Sequence, residues 1–465
     1  MRDARLLPVS RQRLGQFARP VRFSLPGGLL AGLLVAGIFI PAPAAATGDA
    51  QPGPHAPSGP RLTSRLNGSV TTHDGGRLHL VTDLGNIVIR TGSSGRVEYV
   101  VNLEADASQK DAKELLKTFS VSAHETPDGV YLRGATGRES SGRLWVTIQA
   151  TIPKNYSLDV ATGGGNIEAG DVSGRVSLST TGGNITAGNI GGPSRLYSES
   201  GGHLTVKNVA GELTAITGGG HITTGSIAGN ANLHTTGGHI RVASVEGIAR
   251  LDTGGGNVTL QRAGTELIAE TTGGQIEVGE AAGLVRAKTG GGGIRVVRVS
   301  GPTNLQTSGG SIYLTQVDSA VKASAAAGGI TAWFVSPPKG SGACDLASND
   351  GDIVIYLPRE MPVTIDARVQ MGDDHRVIVD PAFPLKVSYD DSSSGPRTVR
   401  AEGALNGGGE VIRLRTVAGN IRLAVSDTNK QIQLYKEQML QLQQKLEFQL
   451  RQLEQQPLPQ DTPQP

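Results

Sequence analysis

Between Gly164 and Val335 the chain repeats one short phrase: a threonine, two glycines, a small polar residue and an aliphatic one. Ile167, Ile185, Leu204, Ile222, Ile240, Val258, Ile276, Ile294, Ile312 and Ile330 mark the aliphatic beat. The steps are eighteen residues long, except one of nineteen between Ile185 and Leu204. A fixed short period means that each unit buries its apolar side only by stacking on copies of itself. Two residues past the beat stand Ala169, Ala187, Val206, Val242, Leu260, Val278, Val296 and Leu314. Val172, Ile190, Val209, Ile227, Val245, Val299 and Val317 form a third column. In the second half of the unit Val176, Leu213, Leu267 and Val285 align, then Leu178, Leu233, Leu251 and Leu305. The last column is Thr180, Thr217, Thr235, Thr253, Thr271, Thr289 and Thr307, whose hydroxyls can bond along the stack or to turn backbone groups.

Alternation of period two within each half unit predicts two short strands per coil, joined by glycine turns. Coils in register ~4.8 Å apart give parallel sheets, and ten beats give a rod of roughly 45 Å. The fold class is therefore all-β, a parallel β-solenoid of eighteen-residue coils with irregular β caps at both ends and a C-terminal α-helix. A left-handed hexapeptide helix has the same coil length but needs an aliphatic at every sixth residue, and positions 167, 173 and 179 are Ile, Ser and Ser. Handedness is otherwise left open. Composition agrees: with 66 glycines and 4% aromatics the chain suits a thin structure of many tight turns rather than a thick core.

The structural turn positions are Gly183, Gly202, Gly220, Gly238, Gly256 and Gly274. After the glycine pairs come Asn166, Asn184, His203, His221, His239, Asn257, Gln275, Gly293 and Ser311. Asn, Gly and His tolerate positive φ or bridge conformations after a turn, so the column reads as a backbone requirement. Imidazoles on successive coils point in parallel rather than converging, so no metal site is expected.

Arg2, Arg5, Arg11, Arg13, Arg19 and Arg22 precede the apolar run Leu29 to Ile40 and the small-residue cleavage site Ala44-x-Ala46. That is the three-part form of a secretory signal, which gives residues 1–46 a targeting role and the remainder an exported, periplasmic or surface location. An uncleaved anchor is the alternative, and it would be the chain's one membrane contact. Residues 1–46 hold six arginines and one acidic residue, leaving 37 basic and 40 acidic residues beyond them. No basic surplus remains for nucleic acid. The single cysteine, Cys344, forms no internal disulfide.

Residues 47–60 read as a Pro/Gly-rich linker. Residues 61–152 read as an N-terminal β region with one short helix, in which Ser108 and Asp111 form a capping box and Ala112, Leu115, Leu116 and Phe119 an apolar stripe. The repeats proper occupy 153–335 and a C-terminal β cap 336–426. Within 427–455, Ile432, Tyr435, Met439, Leu442, Leu446, Gln449 and Leu453 follow a heptad seam. It suits either a homo-oligomeric coiled coil or a lone helix folded back on the solenoid. Residues 456–465 read as a disordered tail.

Leu84-Gly-Asn-Ile-Val-Ile-Arg90, Val146 to Pro153, Leu158 to Thr162 leading into Gly-Gly-x-Ile, and Asp350 to Pro358 together resemble the bacterial putative-adhesin β-strand-repeat family, a domain of unknown function. The similarity spans roughly 65–425 and rests on structural glycines and inward aliphatics. It implies a surface adhesin-like role, and no functional residue carries over.

On the outward side of the threonine-bearing strands, His234, Asp252, Glu270 and Lys288 follow one another on four successive coils. Arg250 and Arg286 stand two residues earlier on the same face. Both charge signs on one flat patch suit a polar or saccharide ligand. Asp252 and Glu270 are the candidate acid and base for the enzyme alternative, a carbohydrate-active solenoid. Opposite charges on neighbouring strands also pair routinely and deter sheet association. No nucleophile elbow, phosphate loop or calcium repeat is present, and no cofactor is expected. The sequence thus points to a non-enzymatic scaffold or adhesin-like binding rod with an unknown protein or polysaccharide partner. An envelope sensor on an uncleaved anchor is a further alternative.

Overall fold

The computed structural model describes residues 60–92, 95–137, 143–339, 344–371, 374–390 and 397–454. The signal segment, nearly all of the linker and the 456–465 tail lie outside them. All described residues belong to one compact unit, Gly59–Pro465.

The fold is the expected all-β solenoid. Each coil gives one strand to each of two long sheets, called here the isoleucine face and the threonine face after their most regular columns. Ile167, Ile185, Leu204, Ile222 and Ile240 are direct register partners along the first. Val258, Ile276, Ile294, Ile312, Ile330, Ile353 and Ile421 continue the same row. All are at most 1% exposed, so the row is one continuous core that no single coil could bury. Both sheets are linear runs of ladders that end at edge strands with a single partner, Arg61–Thr71 and Val377–Val379 in the first and Phe119–Thr126 and Lys386–Asp390 in the second.

Two devices hold the corner between the faces. Each threonine hydroxyl accepts the N–H of the glycine three residues on and donates to a glycine carbonyl of the preceding coil. Thr253, for example, accepts from Gly256 at 3.2 Å and donates to Gly238 at 2.7 Å. The other device is steric. A Cβ on Gly183, Gly202, Gly220, Gly238, Gly256 or Gly274 would lie 1.8–2.1 Å from a carbonyl oxygen of the coil before it. The glycine one place earlier is free of this demand: a Cβ on Gly182 or Gly219 meets nothing within 4 Å. The extra residue of the nineteen-residue step is absorbed in this turn, where Gly201 adopts φ +120°.

The polar column after the glycines corrects the expectation of a positive-φ requirement. Asn406 is the one described non-glycine residue with positive φ, and it lies elsewhere. What selects the column is a hydrogen-bond acceptor. Asn166 Oδ1 accepts the backbone N–H of Asn184, and Asn184 Oδ1 accepts that of His203, both at 2.8 Å. Three histidines continue the ladder through Nδ1, to His221, His239 and Asn257 in turn.

The ladders run on into both expected caps, with the coils out of sequence order. Arg77–Thr82 lies between Ser157–Thr162 and Gly129–Thr136, parallel to both. Asn86–Gly92 lies likewise between Ile167–Ala169 and Leu144–Pro153. At the other end Val411–Thr416 lies between Cys344–Ser348 and Val363–Val369, and Ile421–Val425 between Ile353–Leu357 and Val377–Val379. The first and last coils of the chain are thus held on both sides. Antiparallel strands such as Arg61–Thr71, Phe119–Thr126 and Lys386–Asp390 finish the sheets, which ends parallel stacking there.

The first helix, α1 (Ala112–Thr118), buries Ala112 and Leu115 against Ala105. Its capping box is absent: Asp111 makes no side-chain cap bond, and Ser108 binds Asp106 instead, its hydroxyl at 2.8 Å. The second, α2 (Thr428–Glu454), is capped by Asp427, which accepts from Asn429 and Lys430. It lies along the isoleucine face. Gln431 donates to the Thr315 carbonyl at 3.0 Å, Tyr435 to Glu280 at 2.5 Å and Lys445 to Glu277 at 2.8 Å. Leu442 and Leu446 are buried, and Leu442 sits above Gly279. Within this chain the seam thus meets the solenoid at Leu442 and Leu446, the folded-back arrangement of the two the sequence allowed, while Ile432 of the same seam is 41% exposed. The physical reason is an outward column, Gln261, Gly279, Val297 and Thr315, that turns small or apolar under the helix, with Val297 wholly buried. Neither described helix is long and apolar enough to cross a membrane.

Candidate functional site

The structure assembles the charged row on the threonine face in the expected order. His234 registers with Asp252, Asp252 with Glu270, and Glu270 with Lys288. Strand alternation turns all four outward because Leu233, Leu251, Ala269 and Ala287 occupy the core positions between them. His234 Nδ1 lies 3.0 Å from Asp252 Oδ2. Arg286 pairs at 2.6 Å with Glu266, a residue the sequence reading did not single out. Ile268 separates Arg250 from Arg286 in the neighbouring column. The side chains of His234 and Asp252 are about half exposed. Exposed pairs of this kind contribute about 0–1 kcal/mol each. A carboxylate pair that breaks glycosidic bonds works inside a cleft, and among the described residues Asp252 and Glu270 stand outward on a flat sheet face.

A concavity of about 570 Å³ lies further along the same face, lined among others by Arg77, Asp159, Arg175, Arg195 and Glu212. Beside it His79 Nδ1 meets Asp159 Oδ2 at 2.9 Å, and the His79 ring stacks on Tyr131 with centroids 5.1 Å apart. Sequence reasoning missed this group because Arg77 belongs to a coil stacked out of chain order. Local spacing held no signal for Arg77 or His79, although Asp159 and Arg195 share one column in chain order.

His203, His221 and His239 stand in a row with centroids 4.9 Å apart and planes within 14°. Burial, then the neighbouring histidines, then Arg241 push His221 down to about 4. Burial first and Arg241 second lower His203, and the same two with Lys445 lower His239. The rings are thus kept neutral, with Nδ1 committed to the ladder. No group of three or more His, Cys, Asp or Glu among the described residues is placed to hold a metal ion. Cys344 is buried, and burial pushes its thiol up to about 11, which makes it a poor nucleophile.

Comparison with curated proteins returns no match. Among solved structures the chain is similar to a "putative cell adhesion protein" from Clostridium sporogenes ATCC 15579, at 8% identity and TM-score 0.16, covering 78% of this chain and 100% of that one. It is also similar to a "putative adhesin" from Bacteroides fragilis NCTC 9343, at 14% identity and TM-score 0.20, covering 63% and 97%. Likeness at that level says nothing of activity. The family model of Toastrack DUF4097 matches residues 77–370, more than half of the chain. The chain belongs to the Toastrack DUF4097 family.

Proposed function

We propose that this chain is an exported, non-enzymatic binding rod, an adhesin-like scaffold of the cell envelope that meets its partner through the outward columns of its faces. One observation carries the reading: the most chemically suggestive residues, His234, Asp252, Glu270 and Lys288, form an outward row of charged and titratable groups in register across four coils. Such a row can recognise an extended polar chain by repeated contacts, but it cannot exclude water from a reacting bond. The signal-like N-terminus supports export. N-terminal sequencing of the exported protein should give a start near Thr47, and an intact Met1 would instead support an anchored sensor. A glycan and protein array probed with the mature chain should give a ligand whose binding weakens in Arg250→Ala and Lys288→Ala. Turnover of any polysaccharide that disappears in Asp252→Ala would overturn the non-enzymatic reading.

A further inference from the structure

The histidine row carries a second and separate surface. Each Nδ1 accepts a backbone N–H of the next coil at 2.8–2.9 Å, so each neutral ring must hold its proton on Nε2. None of the three Nε2–H groups meets a protein acceptor among the described residues. Arg241 follows His239 by two residues on the same side of the strand, and its charge acts on all three rings. It is half-buried, yet makes no ion pair or hydrogen bond among the described residues. Arg286, Arg298 and Arg415 each have a carboxylate within 3.9 Å. A partly desolvated guanidinium without an anion is costly until one arrives.

We propose that His203, His221, His239 and Arg241 form a strip that binds the oxyanions of a linear acidic polysaccharide. Arg241 supplies the charge, and the three imidazole N–H donors set the direction of the bound chain along the stack. Equivalent donors repeated at 4.9 Å suit a polymer with regularly spaced anionic groups, because a lone ion would meet only one of them. The near balance of 37 basic and 40 acidic residues beyond residue 46 argues against nucleic acid, which demands a broad basic surface.

The test is calorimetry of the mature chain at low salt with dextran sulfate, polygalacturonate, uncharged dextran and inorganic sulfate. At least one of the two polyanions should bind, the better of them revealing whether sulfate or carboxylate is preferred. Arg241→Gln should weaken that binding about tenfold, the loss of one charge-assisted contact. The triple change of His203, His221 and His239 to Asn keeps the ladder acceptor that Asn184 and Asn257 supply naturally, while shortening the donors. It should weaken binding severalfold without lowering the melting temperature. In ¹⁵N-histidine spectra the Nε2 signals of the row should move on titration. Equal affinity for uncharged dextran, equal affinity for inorganic sulfate, unchanged binding in Arg241→Gln, or unmoved Nε2 signals would each overturn the proposal. Asp252→Ala should leave the polyanion affinity unchanged, which separates this strip from the row on the threonine face.

Discussion

Two stretches of the isoleucine face share the same buried columns and differ in almost everything outside them. In the coils of 167–206 the strands are three residues long: Ile167–Ala169, Ile185–Ala187 and Leu204–Val206. In those of 258–319 they run six to eight residues: Val258–Ala263, Ile276–Ala281, Ile294–Val299 and Ile312–Ser319. The short strands stop where Asp171, Asn189 and Asn208 replace backbone pairing with side-chain bonds. Asn189 N–H donates to Asp171 at 2.7 Å, Asn208 Nδ2 to Asn189 at 2.8 Å, and Ser226 N–H to Asn208 at 2.9 Å. At the corresponding positions the later coils carry Arg262, Glu280 and Arg298, which stay paired and bear ions instead. The first stretch is open, with a concavity of about 580 Å³ lined by Glu168, Gly188, Thr205 and Lys207 among others. The second is roofed by α2. Inward residues decide that coils stack, and outward residues decide what each stretch of the stack meets.

The sharpest way to break this comparison is to damage what the stretches share. Gly183→Ala and Gly256→Ala should each cost about 3 kcal/mol, because a Cβ drives into the carbonyl of the coil before. Gly182→Ala and Gly255→Ala, whose Cβ would meet nothing closer than 3.9 Å, should be neutral or gain about 0.4–1 kcal/mol. Thermal denaturation measures all four, and equal losses in both pairs would end the steric account of the glycines. The corner hydroxyls come next. Thr180→Val and Thr253→Val should each cost about 2 kcal/mol, since each strands a glycine N–H and a glycine carbonyl. Ala325 occupies this column without a hydroxyl, as the register partner of Thr307. Ala325→Thr should therefore stabilise by about 1 kcal/mol in urea denaturation.

Acid should separate the stretches. His203, His221 and His239 have folded pKa values below 6.5, so the unfolded chain takes up protons first as the pH falls. Their contribution to stability is complete above pH 6.5 and is lost as the pH drops towards about 4. His221→Asn should flatten that part of the urea-midpoint profile, and an unchanged slope would remove His221 from it. The smallest effect belongs to the exposed row on the other face: His234→Ala should change stability by less than about 0.5 kcal/mol in the same assay.

The buried half of this structure was legible because aliphatics such as Ile167 and Ile185 fall on one register row whenever coils of equal length stack. The charged row His234 to Lys288 was legible for the same reason. Three features were not. Residue type at Asn184 or His221 shows tolerance for unusual backbone, and only the structure shows the acceptor role that selects both. The arginine-lined concavity depends on Arg77–Thr82 stacking on Ser157–Thr162, a contact between segments 80 residues apart. The fate of α2 had a signal that periodicity masked: Val297 is apolar at an outward position, where a solvated sheet would carry a polar residue.

Amide hydrogen exchange on the chain with α2 and on a chain ending at Asp427 tests most directly the claim that outward columns assign each stretch its covering. Without α2, exchange should speed up in 276–281, 294–299 and 312–319 and stay the same in 167–169, 185–187 and 204–206. Unchanged exchange in the later coils, or equal acceleration in both stretches, would contradict it.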